Sequence, residues 1–133
     1  MTTVHPTPLL RRVLLADAAL CAVAGLVLLV GAGALAGPLG LPSTLLAGAG
    51  VALLPVAAAL LVLATRAAVP RVALWAVIAA NALWAVESVA LPLTGWIAPT
   101  GLGHAFVFAQ ALIVAGFAEV EYLCLRRAMA LAA

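Results

Sequence analysis

Val13-Leu14-Leu15-Ala16-Asp17-Ala18-Ala19-Leu20-Cys21-Ala22-Val23-Ala24-Gly25-Leu26-Val27-Leu28-Leu29-Val30 is apolar at every position except Asp17. A run of about 18 residues with one interruption is long enough to cross the hydrocarbon of a bilayer as a helix, and too long for the core of an ordinary secretory signal, which holds roughly 7 to 15. Outward from it the composition agrees: the chain of 133 residues is 68% hydrophobic and 8% charged. Soluble domains carry roughly a quarter charged residues, so this chain cannot coat a water-facing surface, and a soluble monomer is excluded.

Further runs of the same character follow, and the expected spans are residues 9–36, 42–64, 70–93 and 101–124. The breaks carry their own chemistry. Gly37-Pro38-Leu39-Gly40-Leu41-Pro42 turns the first span into the second, because Gly supplies unusual dihedrals and Pro suits the first turn of a helix. Thr100 is placed to cap the last helix, with Pro99 just outside it. Links this short make antiparallel neighbours. The fold class expected is all-α, a polytopic up-down-up-down bundle of four transmembrane helices forming one domain over residues 1–133.

Orientation follows from arginine. The chain has no Lys, and Arg11 and Arg12 precede the first span, Arg66 and Arg71 lie between the second and third, and Arg126 and Arg127 follow the fourth. All six fall on one side, and the other two loops are uncharged. Cytoplasmic flanks accumulate Arg and Lys, so both termini are expected in the cytoplasm, the protein residing in a bacterial inner membrane. Trp96 in an outer loop, and Trp75 and Tyr122 near inner helix ends, suit the headgroup level. Arg11-Arg12 before an apolar run also resembles a twin-arginine export signal, but the length of that run favours an uncleaved first helix. The arginines form separate pairs and no stripe, so nucleic acid is not an expected partner. The expected partners are the lipid bilayer and another membrane protein or a second copy of the chain.

Small residues at four-residue spacing, Gly33 with Gly37, Cys21 with Gly25, Gly48 with Ala52 and Ala111 with Ala115, offer shallow faces on which helices can approach. Pro55, inside the second span, is expected to kink it.

Ionisable groups inside a span cost about 2.5 to 3.5 kcal/mol on insertion scales, so each needs a partner or a task. Asp17, Glu119 and Glu121 lie toward the arginine-bearing ends of their spans, and are expected to act with the six Arg as interfacial anchors. Glu87 stands apart. By helical rise it lies about 25 Å beyond the start of its span, remote from every Arg, at a depth bracketed by His104 and Gln110 of the fourth span. Asn81, Trp84, Glu87, Ser88, His104 and Gln110 therefore form the candidate polar site, in the outer half between spans three and four, with Phe108 as a further wall. In this reading Glu87 donates a hydrogen bond to Gln110 or to a backbone carbonyl.

Other chemistry lacks its residues. His104 is the only embedded histidine, which excludes a bis-histidine haem within one chain, and no His, Cys and carboxylate cluster has zinc spacing. No phosphate-binding loop, nucleophile elbow or H-E-x-x-H is present. Catalytic residues, metals and cofactors are thus all expected to be none, and the balance leans away from an enzyme. The pieces Gly40-Leu41-Pro42, Asn81-Ala82-Leu83-Trp84 and Tyr122-x-x-x-Arg126-Arg127, with the length and the four spans, resemble the small four-helix bacterial inner-membrane proteins of the DoxX-like grouping. That resemblance implies an accessory role, since some members accompany oxidoreductases as membrane subunits. The expected function is a non-enzymatic accessory or structural subunit of a membrane assembly. The alternative is a small carrier or binding protein for an amphiphile or proton-coupled solute, using the outer-half polar pocket.

Overall fold

The computed structural model describes residues 2–133. Two residues, Thr3–Val4, form β1, followed by α1 (Pro8–Leu39), α2 (Ser43–Thr65), the two-residue β2 (Val69–Pro70), α3 (Arg71–Leu93) and α4 (Gly101–Ala132). All four helices are long and apolar enough to cross a membrane.

The helix starts follow local chemistry. Thr7 caps α1 by accepting a hydrogen bond from the Leu10 amide, and Pro8 supplies a first-turn residue with no amide to satisfy. Thr100 caps α4 through the Gly103 amide, as its position predicts. Two spans run longer than expected. α1 continues through Pro38 and stops at Gly40, whose φ of 64° places it in the left-handed region that glycine adopts without cost. A Cβ there would also stand 2.7 Å from the Thr100 amide nitrogen. α4 passes Cys124 and carries Arg126 and Arg127 within its last turns. α2 is unbroken through Pro55.

α1 packs on α2 and on α4, and α3 packs on α4. The α1–α2 crossing is close because two glycines meet: a Cβ on Gly50 would lie 2.6 Å from the Gly25 carbonyl oxygen and 2.7 Å from the Leu29 amide. Of the expected small-residue faces, the one ending at Gly25 is thus used, whereas Gly33, Gly37 and Gly48 have open space where a Cβ would stand.

Two apolar cores result. The larger gathers Leu10, Leu14, Leu60, Val69, Leu74 and Leu125 toward the arginine-bearing end. The smaller, around Leu28, Leu39, Leu41, Leu46 and Val107, lies toward the opposite end, where the Thr100 amide donates to the Leu39 carbonyl. At the arginine end the Arg11 guanidinium donates to the carbonyls of Ala64 and Arg66 at 3.0 and 3.3 Å, which closes the end of α2 onto the start of α1. The hydropathy pattern gives no hint of β1, which pairs antiparallel with β2 and brings Val4 into the larger core.

Candidate functional site

Asp17, on α1, is ten residues into its helix; Asn81 is eleven into α3; Glu121 is twelve from the end of α4. A rise of about 1.5 Å per residue sets all three roughly 14 to 17 Å from the arginine end, and the bundle brings them together. The Asn81 side-chain amide donates to Asp17 Oδ2 at 2.8 Å and to Glu121 Oε2 at 3.1 Å. Cys21, one turn beyond Asp17 on α1, points its thiol at Asp17 Oδ1 at 3.5 Å. Glu121 Oε1 is buried with no hydrogen-bond partner. Asp17 and Glu121 are 1% and 2% exposed.

This differs from the expected role of Asp17 and Glu121 as interfacial anchors. Their oxygens turn to Asn81, and the guanidinium of Arg11 is spent on backbone carbonyls. The reason is geometric. α4 runs eight residues beyond the expected end at Cys124, which moves Glu121 from the last turn into the interior. Glu119, two residues earlier, points outward and is exposed, as are Arg12, Arg66, Arg126 and Arg127. The Arg126 guanidinium lies over the Tyr122 ring at 5.8 Å, and that ring meets Trp75 at a centroid distance of 5.8 Å. Arg71 follows β2, and its amide donates to the Thr2 carbonyl.

The six residues of the candidate outer site divide. Trp84 Nε1 donates to Gln110 Oε1 at 3.0 Å, which ties α3 to α4. Gln110 spends its amide on the Val107 carbonyl at 2.9 Å, and Ser88 donates to the Trp84 carbonyl at 2.7 Å. The expected hydrogen bond between Glu87 and Gln110 does not form, because Trp84 and Val107 occupy that amide. His104 turns back to the Thr100 carbonyl at 3.0 Å and packs its ring on Phe108, 5.9 Å away. Asn81 belongs to the deeper carboxyl cluster.

A cleft of about 510 Å³ connects the two levels. It opens between α1 and α2 on one side and α3 and α4 on the other, and descends from Leu41, Pro92 and Ile97 past Trp84, Glu87, Ser88 and Gln110 to Asp17 and Cys21. His104 and Phe108 lie outside it, and Phe106 supplies the aromatic wall from α4. Its volume falls within the roughly 300 to 1,000 Å³ of small-molecule sites, and its many apolar walls with few polar groups fit that class. The far half of α3 stands off from α2, and the cleft fills that gap.

Among the described residues no group of three or more His, Cys, Asp or Glu is arranged to hold a metal ion. Asn81 presents the nitrogen of its amide to both carboxyls, a donor where a metal would need an oxygen. No family model, no curated protein and no solved structure matches the chain.

Proposed function

We propose that this chain is a small intramembrane binding protein or carrier for an amphiphile or apolar solute, which it takes up in the cleft between its two helical hairpins. The observation that carries the reading is the cleft itself, a continuous apolar space descending from the end opposite the arginines to the buried carboxyl of Asp17. An acid buried at the bottom of an accessible space is costly, and an occupant of that space is one means of offsetting the cost. The bundle sits up-down-up-down in a bacterial inner membrane with both termini cytoplasmic, a placement supported by the arginines at one end of the helices. The cleft then faces the outer leaflet, and the carboxyl cluster lies closer to the cytoplasm.

Thermal unfolding of the purified protein against a panel of lipids and apolar solutes tests this. A saturable stabilisation is expected for the wild type. It should be lost in Ala52→Phe, which fills the cleft from an exposed position on α2, with helicity retained. A panel with no saturable response would return the weight to the accessory-subunit reading. That reading has its own support in a shallow groove of small residues, Ala58, Ala59, Ala73, Ala76 and Ala80, between α2 and α3. Under it, native mass measurement in mild detergent yields a complex larger than one chain. For topology, a reporter fused after Ala133 should read cytoplasm and one inserted near Gly95 should read the outer side. Outer-side activity of the first would overturn the four-span orientation.

A further inference from the structure

Of the residues lining the cleft, the charged ones are Asp17 and Glu87, and both are acids. No Arg or His lines it; all six Arg belong to the opposite end of the helices and His104 is turned away. Helical rise separates the level of Glu87 from that of the Asp17–Asn81 pair by about 9 Å, so the cleft has an acidic station part-way down and another at its floor. Between them Trp84 lines the cleft with an indole, a ring that attracts cations to its face.

The floor is short of donors. Two carboxyl groups present four oxygens, and the donors that reach them are the Asn81 amide and the Cys21 thiol. Glu121 Oε1 receives none, and Glu121 lies outside the cleft lining, joined to Asp17 through Asn81. The surroundings do not supply the deficit. α2 has no titratable residue between Ser43 and Thr65. α4 adds the buried Cys124 one turn beyond Glu121, while its Glu119, Arg126 and Arg127 are exposed; on α1 Arg12 is exposed and Arg11 is spent on backbone carbonyls; and on α3 the nearest charged groups are Glu87 and Arg71, the latter about 15 Å away at the helix start. An occupant that suits apolar walls with acids as their charged groups brings positive charge on an apolar body.

We propose that the cleft selects hydrophobic primary amines, with the ammonium group seated against Asp17 at the floor, Glu87 as the acidic station on the way in, and the apolar body against Trp84 and Phe106. An ammonium brings positive charge, three donors and no acceptor, which suits a cleft whose charged side chains, Asp17 and Glu87, are both acids. The aliphatic walls exclude water around the pair, which strengthens the attraction between the opposite charges. This inference rests on the carrier reading and names the chemistry of its ligand.

The test uses the full chain in lipid nanodiscs, with empty discs as the blank, and equilibrium dialysis of three probes that share one ring system: 1-naphthylmethylamine, 1-naphthalenemethanol and 1-naphthoate. The amine should bind saturably at one per chain and at least tenfold more tightly than the alcohol, and the carboxylate should show no saturable binding. Asp17→Asn should weaken the amine at least tenfold and leave the alcohol unchanged. Glu87 is exposed, so Glu87→Gln preserves the fold, and it should weaken the amine about threefold. Equal affinities for amine and alcohol in the wild type would overturn the selection of amines and leave the cleft as a binding site. Saturable binding of none of the probes would remove the carrier reading together with it. If Asp17→Asn does not fold, Glu87→Gln decides, and an unchanged amine affinity in that variant overturns the proposal.

Discussion

α2 and α3 are each 23 residues long, both apolar enough to cross a membrane, yet they are attached in opposite ways. α2 lies against α1 so closely that the backbones touch through Gly25 and Gly50. α3 packs on α4, and its tie to α1 is the side chain of Asn81 reaching Asp17. In lipid there is no hydrophobic drive between helices, so attachment comes from close packing or from interhelical hydrogen bonds. The first makes a seam with no space in it. The second holds a helix at arm's length, and the cleft exists because α3 is held that way.

The contrast can be broken at four points. Gly50→Val places a branched side chain where the Gly25 carbonyl and the Leu29 amide already stand. Overpacking of this kind costs up to about 3 kcal/mol, and reversible unfolding in mixed micelles should show the full loss. Next in size, Asn81→Leu removes the amide shared by two buried carboxyls. It should cost about 2 kcal/mol, above the ordinary interhelical hydrogen bond, because two acceptors are orphaned at once. A loss below about 0.5 kcal/mol would mean that α3 is held by α4 alone. Trp84→Phe keeps the ring but loses the donor to Gln110, for about 1 kcal/mol by the same assay. Glu87→Gln should change stability by less than about 0.5 kcal/mol, since the side chain is exposed to the cleft and has no hydrogen-bond partner to lose. A strong destabilisation by this last variant would place Glu87 in the structural scaffold.

The helices were legible in the sequence because hydropathy and length are local properties, and so was the cap at Thr100. The carboxyl cluster was not, although each member stood out as a polar residue in an apolar run. Asp17 and Glu121 lie within a few turns of Arg, and proximity along the chain suggested anchors. What hid the cluster was the length of α4. Leu125–Ala132 mixes two Arg with apolar residues and reads as an interfacial tail, yet Cys124, Leu125 and Ala128 are buried and continue the helix inward-facing. Asn81 and Glu87 share α3, but six residues of separation put them at different depths and on different faces. Gly25 and Gly50 lay among many small residues, and only the crossing point of the two helices distinguishes them from Gly33 or Gly48.

The pairing of Thr3–Val4 with Val69–Pro70 bears on the order in which the molecule can be assembled. His5 contacts the Ala67 carbonyl across a separation of 62 residues, so this end of the chain is synthesised long before its partner strand exists. Non-local pairings of this kind bear the loop-closure cost before they repay it. The α1–α2 hairpin must turn back on itself before the clasp can close. Val4 then seats in the larger core beside Val69, so the clasp joins the start of α1 to the segment that follows α2.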